Sequence, residues 1–245
     1  MSETALLLND NDQQPAPMDG QIRRRRFLAL GLVLSVSCAH FIAAAFYYLF
    51  EGTSQVQTNQ QTIRLIGALI AEITSLLLLS FVLSGQSRNW KEIGWNPKWT
   101  DIFHGVGLIL VAGAVARVAT VCFQLSYRSG SGHYLQPRSV HGLLGGGISA
   151  LALVLVLINP LFEEIIVRGY TMSEVIALGG SQTQAILVSV CIQMSYHVYQ
   201  GLLRCVGLTA TFVVFSIYFS KTRRIAPVVV AHFWSDASAL IRLSR

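Results

Sequence analysis

The sequence predicts an all-α protein, a polytopic bundle of seven or eight transmembrane helices. Charged residues make up only 12% of the 245 residues, whereas a soluble domain carries about 25% to cover its surface. Hydrophobic residues make up 53%, and the mean hydropathy is +0.53. The apolar residues also fall into runs close to the ~20 residues that cross a bilayer. These three observations exclude a water-soluble globule.

The first 26 residues differ in character from the rest of the chain. They are polar, so residues 1–26 are expected to form a disordered cytoplasmic tail, followed by one membrane domain over 27–245. The tail ends in the four arginines 23–26, directly before the uncharged run Phe27–Phe50. Cations flank spans on the cytoplasmic side, and this run is too long for a signal peptide. It is therefore predicted to be the first span, with a cytoplasmic N-terminus.

Further apolar runs follow within the membrane domain. They lie near 62–84, 102–125, 143–158, 160–178, 183–199, 204–220 and 225–241. The net charge of +6 comes from few charges, most of which fall in the tail and between these runs. Such cations orient a protein in a lipid bilayer, and they predict no nucleic-acid partner.

The number of helices depends on the stretch 143–178. Its 36 residues would make a straight helix of about 54 Å, longer than the ~30 Å hydrocarbon core. Pro160 lies in the middle, and proline interrupts the helical hydrogen-bond ladder. The chain is expected to reverse there and give eight helices. A kink at Pro160 would give seven, an alternative that the basic loop 221–224 favours.

Ionisable residues inside apolar spans are expensive and mark functional sites. Glu163 and Glu164 follow Pro160, where the helix dipole favours anions. Arg168 is four residues after Glu164, so its guanidinium can hold that carboxylate ionised. Two neighbouring carboxylates with only one charge-paired differ in acidity, which suits a general base beside an orienting group.

Two other polar groups are expected at a similar depth. Glu164 and His197 lie about equally far from the turn at 179–182, on either side of it. His232 and Asp236 are four residues apart on one helix face, within one or two turns of that level. Elsewhere in the spans, Glu72 and Arg117 are candidates for an ion pair between the second and third helices.

These motifs resemble those of the CPBP family, which includes CAAX prenyl endopeptidases and bacteriocin-processing or immunity-type (Abi) membrane proteins. The resemblance covers residues 143–241, the expected catalytic core. It rests on Glu-Glu-x-x-x-Arg over 163–168 with Gly169-Tyr170, a downstream histidine, and His-x-x-x-Asp at 232–236. The family more often has phenylalanine where this chain has Gln193, and asparagine where it has Asp236.

The resemblance implies an intramembrane endopeptidase in which a paired glutamate activates water. Glu163 is the expected base, since Glu164 faces Arg168. His197 is expected to help hold the water. His232 and Asp236 are expected to stabilise the oxyanion or position the substrate. Arg168 is also assigned to substrate binding.

A cofactor is not required by this reading, but a zinc ion is an open alternative. Glu163, His197 and His232 would be its ligands, with a position left for water. The expected partners are the lipid bilayer and a membrane-associated substrate, either of CAAX type or a leader peptide. A bacterial inner membrane is the expected location.

Two other function classes stay open at this point. One is a transporter or proton relay that uses the same buried groups as an ion path. The other is an inactive family member that binds a peptide or confers bacteriocin immunity. The polar residues concentrate at one depth, which favours a site over a path.

Overall fold

The computed structural model describes residues 19–51, 58–131 and 149–243. These residues form helices and short connections, with no strand among them, which confirms the predicted all-α class. Five helices are long and apolar enough to cross a membrane: Gly20–Phe50, Thr62–Gly85, Asp101–Tyr127, Ala150–Ala177 and Leu202–Thr222. The described part of the chain is therefore a helical membrane bundle.

Seven helices are present in the described ranges. They are α1 (Gly20–Glu51), α2 (Thr58–Gly85), α3 (Asp101–Ser131), α4 (Ala150–Ala177), α5 (Gln182–Ser195), α6 (Leu202–Thr222) and α7 (Ala226–Leu243). Helix α1 begins at Gly20, before the predicted start of the first span, so arginines 23–26 lie in its first turns. Residues 1–18 of the predicted tail and residues 143–148 of the predicted fourth span lie outside the described residues.

The predicted chain reversal at Pro160 is wrong. Helix α4 continues through Pro160 and changes to a π-helical turn over Glu164–Tyr170, before returning to α-helix at Thr171. Proline is tolerated inside membrane helices because neighbouring groups and local π adjustments satisfy the freed backbone groups. The helix also starts only at Ala150, so it is about 42 Å long, which a tilted span accommodates.

Helix α5 is shorter than the span predicted for 183–199. It begins with a capping box between Ser181 and Gln184 and ends at Ser195. Its 14 residues extend about 21 Å, less than the hydrocarbon core. A 3₁₀ turn at Val198–Gln200 and Gly201, with φ of 88°, then reverse the chain into α6. His197 consequently lies at the tip of a hairpin inside the bundle.

One end of the bundle collects many cations and is called the basic end below. Arg26 of α1 and Arg88 both donate to the fully buried Glu174 near the end of α4. Arg224 pairs with Asp101 at the start of α3. These contacts bring together the start of α1, the end of α2, the start of α3, the end of α4 and the α6–α7 turn. The cations there are Arg23, Arg24, Arg25, Arg26, Arg88, Lys91, Lys98, Lys221, Arg223 and Arg224.

The segment after α2 packs inward at the basic end. Asn89 and Glu92 form a capping box around the 3₁₀ turn Trp90–Ile93. Ile93 is fully buried, and Gly94 accepts a hydrogen bond at its carbonyl from the backbone N–H of Ile225 at the start of α7. A Cβ added to Gly169 would lie 2.9 Å from the Ile93 carbonyl oxygen. The segment therefore sits directly against both α4 and α7.

Candidate active site

The core of the site is a fully buried ion network between α4 and α7. Glu164 Oε2 accepts a hydrogen bond from Arg168 on the same helix. Glu164 Oε1 lies 2.6 Å from Nδ1 of His232. Glu164 and Arg168 are both 0% exposed, so this carboxylate lies between a guanidinium and an imidazole ring with no access to solvent.

The guanidinium of Arg168 is fully occupied by the protein. Its Nε donates to Ser216 Oγ at 3.2 Å and its Nη2 to the Phe212 carbonyl at 3.5 Å. The ring centroids of Phe212 and Phe215 lie 5.2 and 5.4 Å from its central carbon. This environment leaves no free face of Arg168 for a substrate. Its geometry favours holding Glu164 in place over the substrate-binding role expected from the sequence.

Glu163 has a different set of contacts from its neighbour. Its Oε2 accepts a hydrogen bond of 2.8 Å from Nε2 of Gln193 on α5. No cation within ion-pair distance of it occurs among the described residues, and its side chain keeps a small exposed area. The two adjacent carboxylates thus differ as the sequence predicts: one is paired with a guanidinium, and the other accepts a hydrogen bond from an amide.

His197 and Asp236 lie beside these groups. His197 donates from Nδ1 to the Gln193 carbonyl at 2.8 Å, and its ring is 5.4 Å from that of Phe212. Asp236 Oδ1 is 3.6 Å from His232 Nε2, and its Oδ2 accepts from Asn159 at 3.3 Å. Asp236 also interacts electrostatically with Glu163 and His197. The three predicted motifs therefore meet.

The site opens to its surroundings at Asp236. Its side chain is 30% exposed, compared with 7% for His232 and none for Glu164. It lies one helical turn further from the basic end than His232. The site is therefore closed by packing toward the basic end and reaches solvent or lipid on the Asp236 side.

The candidate metal ligands do not form a metal centre as they stand. Within the described ranges no group of three or more His, Cys, Asp or Glu side chains is placed to hold one ion. Nδ1 of His232 is directed at Glu164, and Glu163 is directed at Gln193. Since these donors do not converge on one point, the residues as placed do not fit a zinc ion held by Glu163, His197 and His232.

Sequence reasoning missed three contributors to the site. Asn159 directly precedes Pro160, and nothing else in the sequence marks it, while Ser216 has no distinguishing sequence context. From the sequence, Glu72 is only a candidate for an ion pair with Arg117. Instead, Arg117 is exposed, whereas Glu72 is 2% exposed and interacts electrostatically with Glu163 and Asp236. The position of Glu72 within an apolar span was a signal, but its partner could not be read from the sequence.

The fold and site define a class, a helical membrane protein with a buried carboxylate and histidine centre. Residues 146–238 match the family model described as type II CAAX prenyl endopeptidase Rce1-like. This stretch covers well under half of the chain but contains all three motifs, and the match supports the resemblance to the CPBP family of intramembrane proteases. No curated protein and no solved structure matched the chain.

Proposed function

We propose that the protein is an intramembrane endopeptidase that hydrolyses CAAX-type membrane-associated substrates with a glutamate-activated water. The observation that carries this proposal is the unequal pairing of two adjacent buried carboxylates. Glu164 is held between Arg168 and His232, while the hydrogen-bond partner of Glu163 among the described residues is the neutral amide of Gln193. A general base needs a free lone pair and a fixed orientation, and Glu163 has both.

The hydrolytic step can be written from these groups. Glu163 takes a proton from a water molecule as the water oxygen bonds to the scissile carbonyl carbon. The tetrahedral intermediate then collapses, the carbon–nitrogen bond breaks, and Glu163 returns the proton to the leaving nitrogen. Water is the only co-reactant, and one carboxylic acid and one amine result.

His197 is suited to hold the attacking water. Its Nδ1 donates to a backbone carbonyl. In the neutral ring Nε2 therefore carries no proton and is a hydrogen-bond acceptor. A water that donates to both Nε2 of His197 and Glu163 would present its oxygen lone pair to the substrate. This assignment matches the role expected from the sequence.

His232 is suited to stabilise the oxyanion. It lies between Glu164 and Asp236, and two flanking carboxylates favour the doubly protonated ring. Such a ring donates from Nδ1 to Glu164 and offers Nε2–H on the Asp236 side. Asp236, oriented by Asn159, balances the positive charge of the His232 ring. An unpaired aspartate would repel an oxyanion, and this pairing reduces that repulsion.

We further propose that the basic end faces the cytoplasm of a cell membrane. Cations concentrate in cytoplasmic loops, and this end holds the start of α1 and the loop 221–224. With α4 unbroken, the seven-helix arrangement places both on the same side. The bacterial inner membrane stays a prediction.

The proposal is tested with a quenched fluorescent peptide that ends in a farnesylated cysteine and three further residues. Cleavage by detergent-solubilised wild type is compared with Glu163→Gln, His197→Ala and, as the matched control, Glu92→Gln. Glu92 is an exposed loop carboxylate. Loss of activity in the first two variants and retention in the third supports the proposal.

Three results would change the proposed base, mechanism or function. Equal cleavage by Glu163→Gln and wild type contradicts the assignment of the base. Loss of wild-type activity with a chelator, restored by zinc, moves the mechanism to a metal. Proton flux in liposomes without cleavage of the farnesylated peptide or of a leader peptide supports a transporter.

A further inference from the structure

Glu72 is a buried carboxyl group that the proposed reaction does not yet use. It lies on the buried stripe of α2 that continues through Ser75, Leu79 and Leu83, all of which are 1% exposed or less. Its own exposure is 2%, and its Oε2 has no hydrogen-bond partner among the described residues. An unpartnered carboxyl in an apolar span is costly, so its presence calls for a role.

The depth of Glu72 matches that of the site. Helices α2 and α4 run in the same direction toward the basic end, and α2 packs against the Ala150–Glu163 part of α4. Glu72 precedes the end of α2 at Gly85 by about 20 Å, and Glu163 precedes the end of α4 at Ala177 by about 21 Å. Glu72 also interacts electrostatically with Glu163 and Asp236. The side chain therefore lies at the depth of the site, on a helix that packs against the part of α4 that carries Glu163.

The surroundings of Glu72 favour its neutral form. Both groups that act on it are carboxyls, and no cation is paired with it within the described ranges. Glu163 also interacts electrostatically with four titratable groups on the elements packed around it, Cys38, Tyr196, Tyr199 and His232. Neighbouring carboxyls in a low dielectric cannot all ionise, and a neutral carboxyl has an O–H donor that a carboxylate lacks.

We propose that Glu72 is a positioning residue of the active site, a neutral carboxylic acid that donates a hydrogen bond toward Glu163 or the water between Glu163 and Asp236. This donor would add to those of Gln193 and Asn159, which each donate to one oxygen of Glu163 and of Asp236, since the remaining carboxylate oxygens are also acceptors. It would fix the orientation of the base or its water without exchanging a proton in the reaction. This inference rests on the proposed endopeptidase function.

Two substitutions separate this role from packing. Glu72→Gln keeps a neutral donor of the same shape, whereas Glu72→Leu keeps the volume and removes the donor. With the farnesylated peptide as probe, Glu72→Leu should lower kcat about 10- to 100-fold with little change in KM, while Glu72→Gln should retain about a third or more of wild-type kcat. Glu92→Gln is the control that should match wild type.

Thermal melting in detergent accompanies these assays. Glu72→Leu should melt close to wild type, because it replaces a carboxyl that is costly to bury by an apolar side chain of similar volume. Wild-type kcat in Glu72→Leu would overturn the inference, as would a kcat in Glu72→Gln as low as in Glu72→Leu. If the wild type cleaves no probe, the proposed function and this inference both fail. If the wild type cleaves the probe and only the Glu72 variants depart from expectation, this inference alone fails.

The pH profile of Glu72→Gln decides the matter if Glu72→Leu does not fold. A negative neighbour raises the pKa of a carboxylate, so removing an ionised Glu72 would move the acid limb of kcat/KM to lower pH. A neutral Glu72 predicts an acid limb at the wild-type position. A shift to lower pH would show that Glu72 is ionised and would contradict the inference.

Discussion

Glu164 Oε1 lies 2.6 Å from Nδ1 of His232, a contact that joins α4 to α7 across 68 residues of sequence. Arg168 occupies the other oxygen of the same carboxylate. The contact links the first and last motifs of the chain directly. It also commits Glu164 to holding the site together, which leaves the adjacent Glu163 as the group free to react.

Substitution of the two glutamates should therefore differ in its effect on stability. Glu164→Gln leaves Arg168 buried without its counter-charge and should lower the free energy of unfolding by about 3 kcal/mol or more. Glu163→Gln keeps an amide oxygen that can still accept from Gln193 and should cost at most about 1 kcal/mol, yet abolish cleavage. Thermal or denaturant unfolding in detergent measures the difference, and equal destabilisation would contradict the assignment.

A double variant provides the control for this prediction. Replacement of a buried ion pair by apolar residues is often neutral or stabilising. Glu164→Leu combined with Arg168→Leu should therefore recover much of the stability lost in Glu164→Gln, without recovering activity. A double variant as unstable as the single one would show that the ion pair is not the cause.

Gly169 should tolerate no side chain, because the segment after α2 packs against it. A Cβ there would lie 2.9 Å from the Ile93 carbonyl oxygen, so Gly169→Ala should destabilise by about 1–3 kcal/mol. Gly107→Ala in α3 is the matched control, since a Cβ there meets nothing within 4 Å. It should be neutral or slightly stabilising. Similar melting temperatures for both variants would contradict the packing described for 89–95.

Gln193 should affect kcat through its amide group and not through its size. Gln193→Leu removes the donor to Glu163 Oε2, and the base loses its orientation. We expect kcat to fall about tenfold, with unfolding shifted by about 1 kcal/mol. Ile192→Leu, which changes an adjacent apolar side chain, is the control for α5. An active Gln193→Leu would show that Glu163 is oriented by something else.

Glu174 should stabilise the basic end. Its carboxylate accepts from Arg26 at 2.9 and 2.8 Å and also from Arg88. Glu174→Gln leaves two arginines short of a counter-charge and should cost about 2–4 kcal/mol of unfolding free energy, measured by thermal unfolding. Glu92→Gln, whose partner Arg88 is shared but whose carboxylate is exposed, should cost under about 1 kcal/mol. A neutral Glu174→Gln would contradict the anchoring role.

The sequence was sufficient to predict the fold class and to predict that the three motifs lie close together. Low charge and runs of apolar residues predict the membrane bundle because the bilayer sets the length of each span. The spacing of Glu164 and His197 about the turn at 179–182 predicts a common depth because α4 and α5 form a hairpin. These inferences use only distances along helices.

Side-chain partners across helices could not be predicted in the same way. Charge alone makes Glu72 and Arg117 candidates for an ion pair, but Glu72 lies on the buried face of α2 and Arg117 on an exposed face of α3. Pro160 was read as a chain reversal, since sequence does not show how a π-helical turn accommodates it. Gln193 differed from the family pattern, and only its contact with Glu163 explains what it does there.

The most direct test of the account is cleavage of the farnesylated peptide in ¹⁸O-labelled water, followed by mass spectrometry of the prenylated product. Wild type should place one labelled oxygen in the new carboxyl group, and Glu163→Gln should yield no product while melting close to wild type. Labelled product formed by Glu163→Gln at the wild-type rate would contradict the claim that Glu163 activates the water.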